Sequence, residues 1–340
     1  MYDYKNILNF AKEILAIPSP SGYTKQVINY LIDVCKKENF QYEELNCGSL
    51  VVTIKGKSDY TIGIGAHVDT LGAMVSAINA NGTLKFDTIG GPSLPTYDGE
   101  YCQVITRDGK SYSGTFLCNA QAVHVHRNAK NMERNIDTMH VRLDELVHNK
   151  QEVKALGIEN GDYIALDPKT TITSSGFIKS RFLDDKLSVA IIFELLKQLK
   201  KENIVPNYTL KVIISTYEEV GFGSAYIPPV DEMIAVDMGC VGEHLEGNEE
   251  KVSICAKDSA GPYNYEINTK LIELAKILKL DYAVDVFPYY SSDVSAALKA
   301  GHNIKGALIG SGVAASHGME RTHLKGVINT YELLKAYILN

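Results

Sequence analysis

His67, Asp184, the pair Glu218-Glu219, Asp237 and His317 follow one another along the chain, each beside a glycine-rich or strand-like run. Five of them are potential metal ligands, and one carboxylate is left over. Two divalent ions held roughly 3.5–4 Å apart need a carboxylate between them and an imidazole plus a carboxylate on each side, with positions open for water and substrate. The residue types and their number meet that requirement, and the spare carboxylate is free to move a proton. The pattern describes a two-metal hydrolase.

Taken singly, each motif also has an ordinary reading. His67-Val68-Asp69 reads as a loop, Asp184-Asp185-Lys186 as a helix N-terminus where acids suit the macrodipole, and His317 as an exposed loop residue. Their joint placement argues otherwise. His67 follows the apolar run 61–66, Glu218-Glu219 the run 211–216 and Asp237 the run 234–236, so all three should emerge at the carboxyl ends of buried strands, where open α/β sheets bind ligands. His124 and His126 form a competing pair, since strand alternation would set both on one face with His140 not far off. They have no matching carboxylates. Asp293 reads as an N-terminal helix residue, with a role near a substrate amine as the alternative.

The elements that position these residues divide the chain. Periodicity predicts helices to about residue 16 and over 23–38, with strands over 49–54 and 61–66. From residue 72 the texture becomes short alternating runs broken by Asn81-Gly82 and Asp108-Gly109, both hairpin signals; residues 103–116 make the clearest hairpin. Helix–strand alternation then returns, with an amphipathic helix over 187–200, strands over 208–215, 233–236 and 304–309, and helices over 265–278, 292–300 and 326–339. The expected fold is α/β: a mixed-sheet catalytic domain, discontinuous over 1–71 and 174–340, interrupted by a small β-barrel-like domain over 72–173.

At 340 residues with 45% hydrophobic content the chain is long enough for this, and its net charge of -7 disfavours a nucleic-acid partner. No apolar run approaches the roughly 18 residues that would span a bilayer. The N-terminus lacks the look of a signal peptide, and the six cysteines are scattered without C-x-x-C spacing, as in reduced cytoplasmic proteins.

His-Val-Asp at 67–69, a β insert after it, Asp-Asp-Lys at 184–186, Glu-Glu-Val-Gly at 218–221, Val-Asp-Met-Gly at 236–239 and Ser-His-Gly-Met-Glu-Arg-Thr-His at 316–323 together resemble the tetrahedral-assembly metalloaminopeptidases of peptidase family forty-two, some of whose members carry FrvX-like or endoglucanase labels. The resemblance spans essentially the whole chain. It implies that Asp184 bridges two metals, with His67 and Asp237 on one side and Glu219 and His317 on the other. It further implies Glu218 as general base, Asp69 as the group that orients His67, and a cis peptide between Asp184 and Asp185. Lys186 stands where arginine is common, and residues 289–293, Tyr-Tyr-Ser-Ser-Asp, replace a more glycine-rich segment, so the shape of the substrate pocket does not follow from the resemblance.

The implied activity is hydrolysis of the N-terminal residue from short peptides with a free N-terminus, by a bridging hydroxide with Glu218 as base. The ions would be two per subunit, zinc or cobalt, with manganese also compatible by donor type. A homodimer formed through the insert and assembling to a homododecamer is implied as well. A deacylase, dipeptidase or carboxypeptidase on the same metals is the alternative within the class, and a non-catalytic scaffold or binding protein the alternative outside it. A glycosidase fits poorly, because sugar hydrolysis needs a carboxylate pair rather than a metal-ligand set. The preferred N-terminal residue is not legible.

Overall fold

A computed structural model describes residues 3–340. Its centre is an eight-stranded mixed sheet. Its strands are β1 (Gln41–Glu44), β2 (Leu50–Ile54), β3 (Ser58–His67), β12 (Tyr208–Ser215), β13 (Glu232–Cys240), β14 (Val252–Lys257), β15 (Tyr282–Val286) and β16 (Lys305–Val313). Between β3 and β12 in sequence run β4 (Gly72–Ile78), β5 (Leu84–Ile89), β6 (Tyr101–Ile105), β7 (Ser111–Cys118), β8 (Met139–Leu143) and β9 (Tyr163–Leu166), which close into a barrel in the order β4-β5-β8-β7-β6-β9. Closure leaves the barrel no free edge. Both expected hairpin turns join antiparallel neighbours, β4 to β5 and β6 to β7. The short strands β10 (Thr171–Ile172), β11 (Phe177–Ser180) and β17 (Glu320–His323) form a third sheet.

The large sheet runs β1-β2-β12-β3-β13-β16-β14-β15. Its middle strands β12, β3, β13 and β16 are mutually parallel, so their carboxyl ends share one edge. These strands are apolar on both faces, as parallel strands covered on two sides must be. Along β13, Ile234 and Val236 join the core on one side while Met233 and Ala235 join that on the other.

One face carries helices α1 (Lys5–Leu15), α4 (Leu183–Lys201), α5 (Tyr265–Ile277) and α7 (Leu324–Leu339). In α1 the buried set Ile7, Phe10, Ala11, Ile14 and Leu15 has the i, i+3, i+4 spacing of a single apolar stripe. Helix α2 (Lys25–Glu38) lies against β1 and β2 and ends on Asn39 in the left-handed conformation. A short helix α3 (Lys150–Ala155) precedes β9, and α6 (Asp293–Lys299) packs on the opposite face of the sheet.

Two expectations are corrected. Helix α4 is not amphipathic, because it is clamped between the sheet, α1 and α7, and nearly every residue from Leu183 to Leu199 is buried. Strands β13 and β16 each run four residues past their expected ends. They continue to pair with each other as far as Cys240 and Val313, so Asp237 lies within a strand rather than after one. Among the described residues no helix is long and apolar enough to cross a membrane.

Candidate active site

Strand β3 pairs with β12 through its last residue, His67 opposite Ser215, but with β13 only as far as Gly65 opposite Ala235. The sheet therefore splits at the level of His67 and Asp237, and the crevice opens between two residues that could bind a metal. Such a parting at the carboxyl edge is where α/β sheets take ligands. The close fit of β13 to β16 at this height depends on Gly310, where a Cβ would collide with the carbonyl of Asp237.

The remaining groups converge on that crevice. Glu218 and Glu219 occupy a 3-10 turn two residues after β12. Asp184 and Asp185 sit at the start of α4 in non-helical conformations, joined by a cis peptide as the resemblance implied. His317 comes from the loop between β16 and β17 with φ 62°, a left-handed backbone that costs a non-glycine residue about 1–2 kcal/mol. Glu320 helps hold it there, accepting the His317 amide at 3.2 Å and the Asp184 amide at 3.1 Å.

The two imidazoles are oriented alike. His67 donates from Nδ1 to the carbonyl of Asp69 at 3.0 Å, and His317 from Nδ1 to the carbonyl of Gly91 at 2.8 Å. A carbonyl only accepts, so each Nδ1 carries a proton and each Nε2 is the free position. His67 Nε2 stands 3.1 Å from Asp184 Oδ1, and His317 Nε2 stands 3.7 Å from Asp184 Oδ2 and 3.5 Å from Glu219 Oε2. One carboxylate thus presents a separate oxygen to each histidine. Glu218 Oε2 lies 3.7 Å from His67 Nε2.

The centre is crowded with buried acid. Burial, reinforced by neighbouring carboxylates and opposed by His67, pushes Glu218, Glu219 and Asp185 well above the usual carboxylate range. Burial and then Asp184 raise Asp237 to about 7. Burial also works against Asp184 itself, but the hydrogen bond and charge of His67, with His317 behind it, hold its carboxyl below the usual range. Burial likewise opposes charge on His67, yet Asp184, Asp69 and Glu218 carry its pKa well upward. Asp185 leaves its Oδ1 buried with no hydrogen-bond partner. So much buried negative charge against two imidazoles is costly without further cations.

The donor set fits divalent metal. Ligand atoms of His67, Asp184 and Glu219 lie within 4.8 Å of one another, as do those of His67, Asp185 and Asp237. Both groups combine imidazole with carboxylate, as zinc-like ions require.

Residues 48–333 match the M42 glutamyl aminopeptidase family. The chain belongs to that family. It is an aminopeptidase, a hydrolase of peptide bonds, and the scaffold alternative falls away. The putative aminopeptidase YhfE of Bacillus subtilis (strain 168) is 45% identical over 342 residues, covering 99% of each chain. The fold is similar to that of the TET aminopeptidase from the marine sediment archaeon Thaumarchaeota archaeon SCGC AB-539-E09, with a TM-score of 0.88, 18% identity, and 98% and 97% of the two chains covered. It is also similar to the Pyrococcus horikoshii TET1 peptidase, which can assemble into a tetrahedron or a large octahedral shell, at a TM-score of 0.86, 21% identity, and 98% and 99% covered.

In this M42 aminopeptidase His67, Asp184, Glu218, Glu219, Asp237 and His317 come together, with Asp69 fully buried beneath them. Asp69 does two things. Its carbonyl and, at 3.5 Å, its carboxylate face His67 Nδ1. The same carboxylate accepts from Ser21 Oγ at 2.6 Å and from the backbone of the Glu218-Glu219 turn. Asp293 begins α6 as expected, but it is buried and its oxygens accept from Ser215 Oγ and the Ser224 amide, both at 2.8 Å. Gly223 lies so close that a Cβ there would strike Asp293 Oδ1.

His124 and His126 are not on a strand. β7 ends at Cys118, and a turn closed by the His126 amide on the Ala122 carbonyl leaves both side chains exposed in a loop anchored by Arg134 on Asp98.

Sequence reasoning missed Glu320, Asp185 and the barrel's own contribution. Glu320 lay inside the quoted motif at 316–323, yet no spacing rule marks a carboxylate whose partners are backbone amides. The carbonyl that orients His317 belongs to Gly91, between β5 and β6. That stretch is fastened by Arg181, which donates to the Thr96 carbonyl at 2.6 Å and the Gly318 carbonyl at 3.2 Å.

Proposed function

We propose that the chain removes the N-terminal residue from short peptides with two divalent metal ions at this centre. The observation that carries the reading is the paired orientation of His67 and His317, each with Nε2 toward a different oxygen of Asp184. Asp184 would hold both ions, with His67 and Asp237 available to one and Glu219 and His317 to the other. Zinc or cobalt suits those donors. Bound there, the ions would polarise the scissile carbonyl and acidify a water for attack at neutral pH.

Glu218 is the carboxylate assigned to proton transfer. Its place beside His67 and its fixed backbone suit a general base that takes the proton of the attacking water and hands it to the leaving amine. Asp69 orients His67 and secures the turn that carries Glu218. The surrounding carboxylates favour a substrate α-ammonium, which selects for a free N-terminus. Asp293, with both oxygens engaged, adds its charge from beneath rather than by contact.

The reading extends to assembly. Residues 72–173 form an inserted dimerisation domain in a catalytic domain made of 1–71 and 174–340, and dimers build a homododecamer. The tetrahedral assembly named for the Pyrococcus horikoshii peptidase supports this, and a closed shell would admit short unfolded peptides while excluding folded proteins. Six unpaired cysteines suit a cytoplasmic setting. A dimer-sized species in light scattering would count against the dodecamer.

The test of activity is a panel of aminoacyl chromogenic amides, each with its N-acetylated counterpart, given to metal-loaded wild type and to Glu218→Gln. Turnover of free-amine substrates alone, abolished in the variant at unchanged metal content, is expected. Cleavage of only the acetylated set would make the protein a deacylase.

A further inference from the structure

The edge of the large sheet opposite the metal crevice holds a cavity of about 250 Å³. The amino ends of β3, β12 and β13 line one side of it with Tyr60, Tyr208 and Glu232, and α5 and α7 line the other with Ile267, Lys270 and Tyr337. Strand β13 carries Glu232 here and Asp237 in the crevice, about 16 Å apart along an extended strand. The cavity is therefore separate from the metal centre.

Glu232 is 8% exposed and sits between two phenols. Tyr60 donates to its Oε2 at 3.0 Å and Tyr337 to its Oε1 at 2.7 Å. Burial, with Glu232 behind it, pushes both phenols upward, so they keep their protons and go on donating. These bonds tie α7 to the sheet, which is a structural use for the two hydroxyls. Two groups on the cavity wall are left over. A carboxylate offers about four lone-pair sites, and the two phenols occupy one on each oxygen of Glu232. Lys270 is half-buried with Nζ 4.4 Å from the Tyr337 ring centroid, and among the described residues it forms no ion pair.

The charges select an occupant. Lys305 and Glu266 pair with each other at the exposed rim, which leaves one carboxylate, Glu232, and one ammonium, Lys270, lining the same small volume. A simple anion is repelled by the first and a simple cation by the second, whereas a molecule carrying both charges satisfies both. Tyr60 and Tyr208, with ring centroids 5.2 Å apart, and Ile267 add an apolar surface. The volume lies just below the range of sites for drug-sized ligands. It suits one amino acid and is too small for a peptide of several residues.

We propose that this cavity binds a free α-amino acid with an apolar side chain, its carboxylate at Lys270, its ammonium at Glu232 and its side chain against Tyr60, Tyr208 and Ile267. That is the class of molecule an aminopeptidase releases, so the protein would hold its own product at a second place. The proposal uses no residue of the metal centre and stands whichever ions that centre takes.

The experiment is calorimetric titration of L-leucine into metal-loaded wild type and Lys270→Met, a change that keeps the aliphatic stem over Tyr337. Product binding at the metals is common to both proteins, so their difference reads the cavity. Wild type is expected to show a leucine site beyond the one at the metals. Lys270→Met should weaken that site about 10-fold or more, the loss of a hydrogen bond to a charged group, with melting temperature and initial kcat on an aminoacyl amide unchanged. N-Acetyl-leucine lacks the ammonium and leucinol the carboxylate, and each should bind the second site of wild type about 10-fold more weakly than leucine. A wild type without a second site, or superimposable isotherms for the two proteins, would overturn the proposal. Either analogue matching leucine would do the same, since the site would then read only one charge. The analogues decide the matter on wild type alone if Lys270→Met melts early, and turnover of the amide reports separately on the aminopeptidase reading.

Discussion

The carboxylate of Asp69 accepts the backbone amide of Glu218 at 3.1 Å on Oδ1 and that of Glu219 at 3.2 Å on Oδ2. The residue that orients His67 therefore also fixes the turn that brings both glutamates into the crevice. A base must be placed to within a fraction of an ångström to be effective, and here its main chain is pinned from below by a fully buried group.

Asp69→Asn tests that link. Asparagine replaces one accepting oxygen with an NH2 that faces donors, so the turn loses a hydrogen bond while the carbonyl holding His67 Nδ1 remains. We expect kcat to fall roughly 10- to 100-fold, the usual scale for groups that orient metal-site residues. Steady-state kinetics with metal content measured in parallel checks it, and unchanged kcat would show that the turn needs no such tether.

Glu320→Gln addresses the other side. Glu320 spans the amides of Asp184 and His317, and its replacement sets an amide NH2 against one of those donors. Metal affinity is expected to drop by roughly 10- to 100-fold, read by titration with a chromophoric competitor; wild-type affinity would reduce Glu320 to a packing role.

Asp293 carries a pH signature. Burial raises its carboxyl to about 6 from an unfolded value near 3.9. Between those values the folded state holds the proton that the unfolded state has released, so stability contributed by the group is complete below about pH 4 and is lost as pH rises through 6. The displacement corresponds to about 3 kcal/mol. Urea unfolding of wild type and Asp293→Asn at pH 4.5 and pH 7 should show wild type losing most of that amount relative to the variant, because other titrations cancel in the difference. A pH-independent difference would contradict the assigned burial effect.

Much of this centre was legible because its residues sit where strand period and glycine punctuation already mark the ends of buried strands. His67, Glu218-Glu219 and the start of α4 were placed within a residue or two on that basis. The position of Asp237 inside β13 was not legible. Local pattern cannot reveal that β13 and β16 stay paired for five residues after β3 has left them. Helix α4 was misjudged for a related reason, since Glu194 and Gln198 read as polar positions in sequence yet are buried in the fold. In the fold Lys186 is buried, donating to the carbonyls of Ile14 at 3.0 Å and Ile17 at 2.6 Å. The role of Gly91 depends on the barrel returning to touch the last loop, a contact 226 residues apart in sequence. Periodicity carries no information at that range.

The central claim is that Asp184 joins two metal ions, one on the His67 side and one on the His317 side. It is tested most directly by metal content, measured by mass spectrometry after dialysis against zinc and gel filtration, for wild type, His67→Ala, His317→Ala and Asp184→Ala. The account expects two ions per subunit in wild type, one retained in each histidine variant, and loss of both from Asp184→Ala. A wild type that binds at most one ion, or an Asp184→Ala protein that keeps two, would contradict it.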